Sequence, residues 1–133
     1  MLKARIAVLV SGGGTNLQAL IDAQNSGVIK SGEIKLVISN NAEAYALTRA
    51  ENAGIKAIYI SKKELKTQEA FENAIIAALE EREIDLIVLA GFMSILSERF
   101  TARYDHRIIN GMESSLFQCA VRDLLQNPIE ILL

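Results

Sequence analysis

Two kinds of segment alternate along the chain. Short, mostly apolar runs at Ile6 to Val10, Ile34 to Ile38, Lys56 to Ile60, Asp85 to Leu89 and Arg107 to Asn110 read as strands, several of them buried on both faces. Between them lie longer segments with apolar residues three and four apart. Thr15 to Gln24 carries Leu17, Leu20 and Ile21 at helical spacing, with Gly27 as a stop signal. Ala42 to Ala53 reads as a second helix ended by Gly54, and Thr67 to Arg82 as a long helix with Phe71, Ile75 and Leu79 on one stripe. Ser97 to Tyr104 makes a short helix, and Ser61 with Glu64 has the spacing of a capping box.

Strands and helices in alternation predict an α/β fold, a doubly wound and mostly parallel sheet with helices on both faces. With the first strand central, the second and third on one side and the fourth and fifth on the other, a ligand crevice opens between the first and fourth strands. It lies beyond their carboxyl ends, where the strand order reverses. Three segments are expected to converge there: Ser11 to Asn16, Gly91 to Leu96, and Asn110.

The first of these, in LVSGGGTNLQAL, places three glycines between a strand and a helix. Gly12, Gly13 and Gly14 allow positive φ and close approach of the backbone, so their amides can point into one concavity. The following helix, with Thr15 as a capping residue, adds unpaired N–H groups and a positive dipole end. A phosphate suits that place, and the Thr15 hydroxyl and Asn16 amide could donate to it as well. The loop lacks the Lys-Ser/Thr pair of a P-loop. It has Leu17 where the dinucleotide fingerprint needs a third Gly, and Ser39-Asn40-Asn41 where a ribose-binding acid would stand. A phosphate monoester therefore fits better than ATP, GTP or NAD. A tight turn that binds nothing is the plain alternative.

Composition narrows the picture. The chain has 133 residues, enough for one domain, and 50% of them are hydrophobic. Trp is absent and aromatics are few, so Ile, Leu, Val and Ala must build the core. A net charge of -2 argues against nucleic acid or an anionic membrane as main partner, and no run approaches a membrane span. A single cysteine, Cys119, permits no internal disulfide and suits a reducing, cytoplasmic setting. It reads as a structural thiol and not as a nucleophile. No metal-ligand spacing is present.

From Ile6 to about Asn110 the chain resembles the phosphoribosylglycinamide formyltransferases, the folate-dependent transformylases of purine synthesis. The resemblance is carried by VSGGGTNLQAL, VISN, AENAGI, VLAGFMSIL and RYDHRIIN. It implies a Rossmann-like domain that transfers a formyl group from 10-formyltetrahydrofolate to the amine of glycinamide ribonucleotide. The matched positions imply that Gly12, Gly13, Gly14, Thr15 and Asn16 hold the substrate phosphate. Phe92, Met93, Ser94, Ile95 and Leu96 would line the folate pocket, where many relatives have Arg at the position of Ser94. Phe92, Met93, Ile95 and Leu96 also suit ordinary core, Ile95 and Leu96 at least in part. Asn110 matches the Asn of the family's N-x-H-P-S motif, and its amide would donate to the oxyanion formed when the amine attacks the formyl carbon.

Past Asn110 the pattern departs from the family. Met112 stands at the position of the catalytic His and Glu113 at that of the Pro. A thioether cannot carry a proton. His106 is expected at the amino end of the fifth strand, away from the crevice, as a surface residue, and Asp105 and Glu113 as solvated or capping acids. Residues 1–110 thus read as a phosphate- and nucleotide-binding α/β domain. Residues 111–133 read as a divergent tail of the same domain, with a helix from Ser115 to Gln126 and a short apolar end. The expectation is a truncated or altered carboxyl-terminal part, with little or no turnover from this chain alone and apolar ends that favour self-association. A phosphate-binding module without chemistry is the alternative. A flavodoxin-like flavin binder fits less well, for want of aromatics to stack on the ring.

Overall fold

The computed structural model describes residues 3–111. The expectations placed on Met112, Glu113, Cys119 and the tail helix fall outside those residues. Five strands form one sheet: β1 (Ala4–Val10), β2 (Gly32–Ser39), β3 (Lys56–Tyr59), β4 (Leu86–Ala90) and β5 (Ile108–Gly111). Their order is β3-β2-β1-β4-β5, every pair parallel, with β1 in the centre as the sequence predicts. The helices are α1 (Thr15–Asn25), α2 (Tyr45–Asn52), the single turn α3 (Lys62–Leu65), α4 (Gln68–Glu81) and α5 (Glu98–Arg103).

Alternation along each strand sends side chains to two separate cores. Ile6, Val8 and Val10 of β1, with Ile34, Val37, Leu86 and Val88, pack against Leu17, Leu20 and Ile21 of α1 and Ala46 and Ala50 of α2. Ala7 and Leu9, with Leu36, Ile38 and Ile87, pack on the other face against Phe71, Ile75 and Leu79 of α4 and Phe100 of α5. Both faces of β1 are therefore covered from Ile6 to Val10, which is why that stretch is an unbroken apolar run. Each buried Leu, Ile or Phe contributes about 1.5–3 kcal/mol, and β1 lies between the two layers. Its first residues are held at the other end by Asp85, whose carboxylate accepts from the Arg5 N–H at 2.9 Å.

Several boundaries differ from the sequence expectation for local reasons. α2 begins at Tyr45 rather than Ala42 because Asn41 makes a turn of its own: its side-chain oxygen accepts from Glu43 N at 3.1 Å and its carbonyl from Ala44 N at 3.1 Å. Ser61 caps α3, which the pattern did not reveal as a helix, accepting from Glu64 N at 3.4 Å. Thr67 and Ser97 cap α4 and α5 instead of lying inside them. Thr15 is not a cap. Gly14 is the N-cap of α1, at φ 80°, and Thr15 is the first helical residue. β2 carries one extra residue opposite β1, between Ile34 and Leu36, where the pairing register shifts.

Candidate functional site

At the carboxyl end of β1, Ser11 to Asn16 line a cavity of about 400 Å³ together with Ala90, Gly91 and Met93. The predicted crevice between β1 and β4 is thus present, and the first two of the three expected segments meet in it. Their junction is direct: Met93 N donates to Ser11 Oγ at 2.7 Å.

Backbone geometry orients the glycine loop. The Gly12 carbonyl accepts from Ala46 N at 3.1 Å, and the Gly13 carbonyl accepts from Arg49 Nε at 2.7 Å. Both carbonyls therefore point toward α2. In a trans peptide the C=O and N–H point in opposite directions. The amides that follow, on Gly13 and Gly14, are turned away from α2, and no acceptor among the described residues is bonded to them. Gly14 needs to be glycine on two counts. Its φ is +80°, and an added Cβ would lie 2.7 Å from the Ala46 Cβ. At Gly12 and Gly13 an added Cβ would meet nothing within 4 Å among the described residues. The Gly14 carbonyl accepts from Gln18 N at 2.8 Å and starts α1. Two outward amides are thereby continuous with the helix start, a recurring anion-binding arrangement.

Ser39-Asn40-Asn41, which stand where a ribose-binding acid would in a dinucleotide fold, serve as fasteners instead. Asn41 Nδ2 donates to the Ser11 carbonyl at 3.3 Å, and Asn40 Nδ2 donates to Ser94 Oγ at 2.6 Å. One strand end thus ties down both the glycine loop and residues 91–97. Ser94 is accordingly engaged by Asn40.

The other residues of that second loop divide by environment. Phe92 and Leu96 pack against the α4 side of the core. Met93 and Ile95 are 81% and 86% exposed. Ile95 is therefore not part of the core, contrary to the expectation of partial burial, because the alternation along the loop turns it outward. The loop is anchored from below by Glu72, a carboxylate 1% exposed on α4. It accepts from Ser97 N and Ser97 Oγ, each at 2.6 Å, and from Gln68 Nε2 at 2.7 Å; Arg99 approaches at 3.4 Å. The same Gln68 amide donates to the Ile95 carbonyl at 2.9 Å. Burial pushes the Glu72 pKa up, but the bonds from Ser97 and Gln68 and the charge of Arg99 outweigh it and hold the carboxyl below its ordinary value.

Glu72 and Arg49 were missed from sequence. A signal existed for Glu72: it shares the buried face of α4 with Ile75 and Leu79, a carboxylate in an apolar stripe. Arg49 gave none, since an Arg near a helix end is unremarkable.

Asn110 lies in β5 opposite Leu89, one strand beyond β4 at the same end of the sheet. It is exposed and is not among the residues lining the cavity. Two strand spacings separate β5 from β1, about 10 Å. His106 sits at the amino end of β5 with φ +64°, 77% exposed and 3.4 Å from the Asp105 carboxylate, away from the cavity as expected. Among the described residues no group of three or more His, Cys, Asp or Glu could hold a metal ion, and no helix is long and apolar enough to cross a membrane.

Comparisons with known proteins agree with this fold. The profile of the formyl transferase family matches residues 4–116. A phosphoribosylglycinamide formyltransferase of Haemophilus influenzae is 44% identical over 126 residues, 95% of this chain and 59% of that protein. The likeness therefore reaches past Gly111 into the carboxyl-terminal segment. The human trifunctional purine biosynthetic protein adenosine-3 is 46% identical over 108 residues, 81% of this chain and 11% of that protein. The structure of a phosphoribosylglycinamide formyltransferase from Coxiella burnetii superposes with a TM-score of 0.77 at 42% identity, covering 81% of this chain and 50% of that one. The chain spans about half the length of the single-function relatives it matches.

Proposed function

The chain belongs to the formyl transferase family, and from that membership we propose that it binds glycinamide ribonucleotide by its phosphate and serves formyl transfer from 10-formyltetrahydrofolate to the substrate amine in purine synthesis. One observation carries the phosphate assignment. Two successive glycine carbonyls are held by α2, which turns the Gly13 and Gly14 amides outward at the start of α1, beside a cavity of about 400 Å³. Gly12, Gly13, Gly14, Thr15 and Asn16 take the phosphate. Phe92 to Leu96 offer the folate its apolar wall, with Met93 and Ile95 as the exposed contacts. Asn110, at the carboxyl end of β5, offers an amide N–H to the developing oxyanion.

Folate supplies the activated formyl group. The chain's own residues bind and orient, but no described residue at the crevice can move a proton to the departing folate nitrogen. The chain has one histidine, His106, and it lies at the opposite end of the sheet. That placement favours a second reading, a phosphate-binding module with little or no turnover, given Met112 at the family's His position. Titration calorimetry with glycinamide ribonucleotide and with the riboside lacking its phosphate tests the first assignment; a formyl-transfer assay on the same preparation separates the two readings. Phosphate-dependent binding is expected on both readings, and appreciable turnover on the first alone. Equal affinity for both ligands would remove the phosphate assignment, and turnover near that of a complete relative would remove the second reading.

A further inference from the structure

Glycine peptides turn over at little cost, because glycine populates positive and negative φ about equally. A triple-glycine bend alone therefore does not hold its amides toward an anion. If the Gly13–Gly14 peptide rotated, its carbonyl would face the bound phosphate with the negative end of its dipole. Something outside the bend must prevent this.

We infer that Arg49 is the positioning residue of the anion site: its guanidinium holds the Gly13 carbonyl and thereby aims the Gly14 N–H at the phosphate. The inference rests on the phosphate reading of the loop. Arg49 Nε donates to the Gly13 carbonyl at 2.7 Å. The guanidinium is itself fixed from two directions. Its NH1 group donates to Gln18 Oε1 of α1 at 3.3 Å, and its central carbon lies 4.9 Å from the centroid of the Tyr45 ring. Gln18 is steadied in turn by donating to Asp22 Oδ1 at 2.9 Å. Arg49 thus bridges α2, the bend and the first turns of α1. The planar guanidinium, with donors in a rigid fork, does this in one piece; an ammonium group on a flexible stem does not. The neighbouring peptide is held by backbone alone, from Ala46 N to the Gly12 carbonyl at 3.1 Å.

An arginine near a phosphate could also act only through its charge. The two roles respond differently to salt. A field effect is screened at high ionic strength, where the Debye length falls to about 3 Å at 1 M. A fixed peptide orientation is not. The test is calorimetry of ribose 5-phosphate binding to the full chain, unaltered and as Arg49→Gln and Arg49→Lys, in low salt and near 1 M NaCl, with thermal melts to confirm folding. Both variants are expected to bind about tenfold more weakly than the unaltered chain, by the same factor at both salt concentrations. A loss that disappears in high salt, restoration by Arg49→Lys to within twofold, or unchanged affinity in both variants would overturn the positioning role. If Arg49→Gln fails to melt cooperatively, Arg49→Lys carries the comparison. Failure of the unaltered chain to bind ribose 5-phosphate would overturn the phosphate reading and this inference with it.

Discussion

At the scale of single residues, the site depends on what glycine lacks. Gly14 combines a left-handed backbone with a 2.7 Å approach to Ala46 that leaves no room for a Cβ. Gly14→Ala must strain the bend or push α2 away, at a cost of about 1–3 kcal/mol. The expected result is a lower thermal midpoint together with at least tenfold weaker phosphate binding. Gly12→Ala, where an added Cβ meets nothing within 4 Å, should change stability by no more than about 0.5 kcal/mol. Equal melting of the two variants would show that the close approach to Ala46 does not constrain the loop. Glycine loop and apolar runs alike were legible in the sequence, because a strand, a bend and a helix start each have a local signature. Thr15 misled because a hydroxyl after a loop usually caps, whereas here the positive φ of Gly14 takes over the cap position.

At the scale of elements, two loops owe their shape to side chains far away in sequence. Residues 91–97 are held by Glu72 and Gln68 of α4 and by Asn40 at the end of β2. Such long-range bonds leave no local pattern, which is why the strands and helices could be read from the sequence while the fastening of the site could not. The Glu72 carboxylate gives this element a pH signature. Its folded pKa lies below the ordinary 4.5, so its stabilising bonds are fully present above that value. They are lost as pH falls through the lowered one. Glu72→Gln should therefore cost about 2 kcal/mol near neutral pH, and the gap to the unaltered chain should narrow as pH falls progressively below 4.5. Thermal melts across that range measure it. A gap that is constant with pH would mean that the Glu72 charge does not hold the loop.

At the scale of the whole molecule, the strand order puts β1 between two helix layers and opens the crevice at the switch between β1 and β4. The same topology explains why the only histidine is far from the crevice: parallel strands have two chemically distinct ends, and His106 precedes β5 while Asn110 lies near its end. Binding at the glycine loop is the property on which the account depends. An amide-resolved NMR titration of the full chain with glycinamide ribonucleotide tests it most directly. The account predicts that the largest shifts fall on the Gly13 and Gly14 amides and the first turn of α1, with smaller ones around Met93. Shifts concentrated at the amino ends of β4 and β5, or none at the glycine amides at saturating ligand, would contradict it.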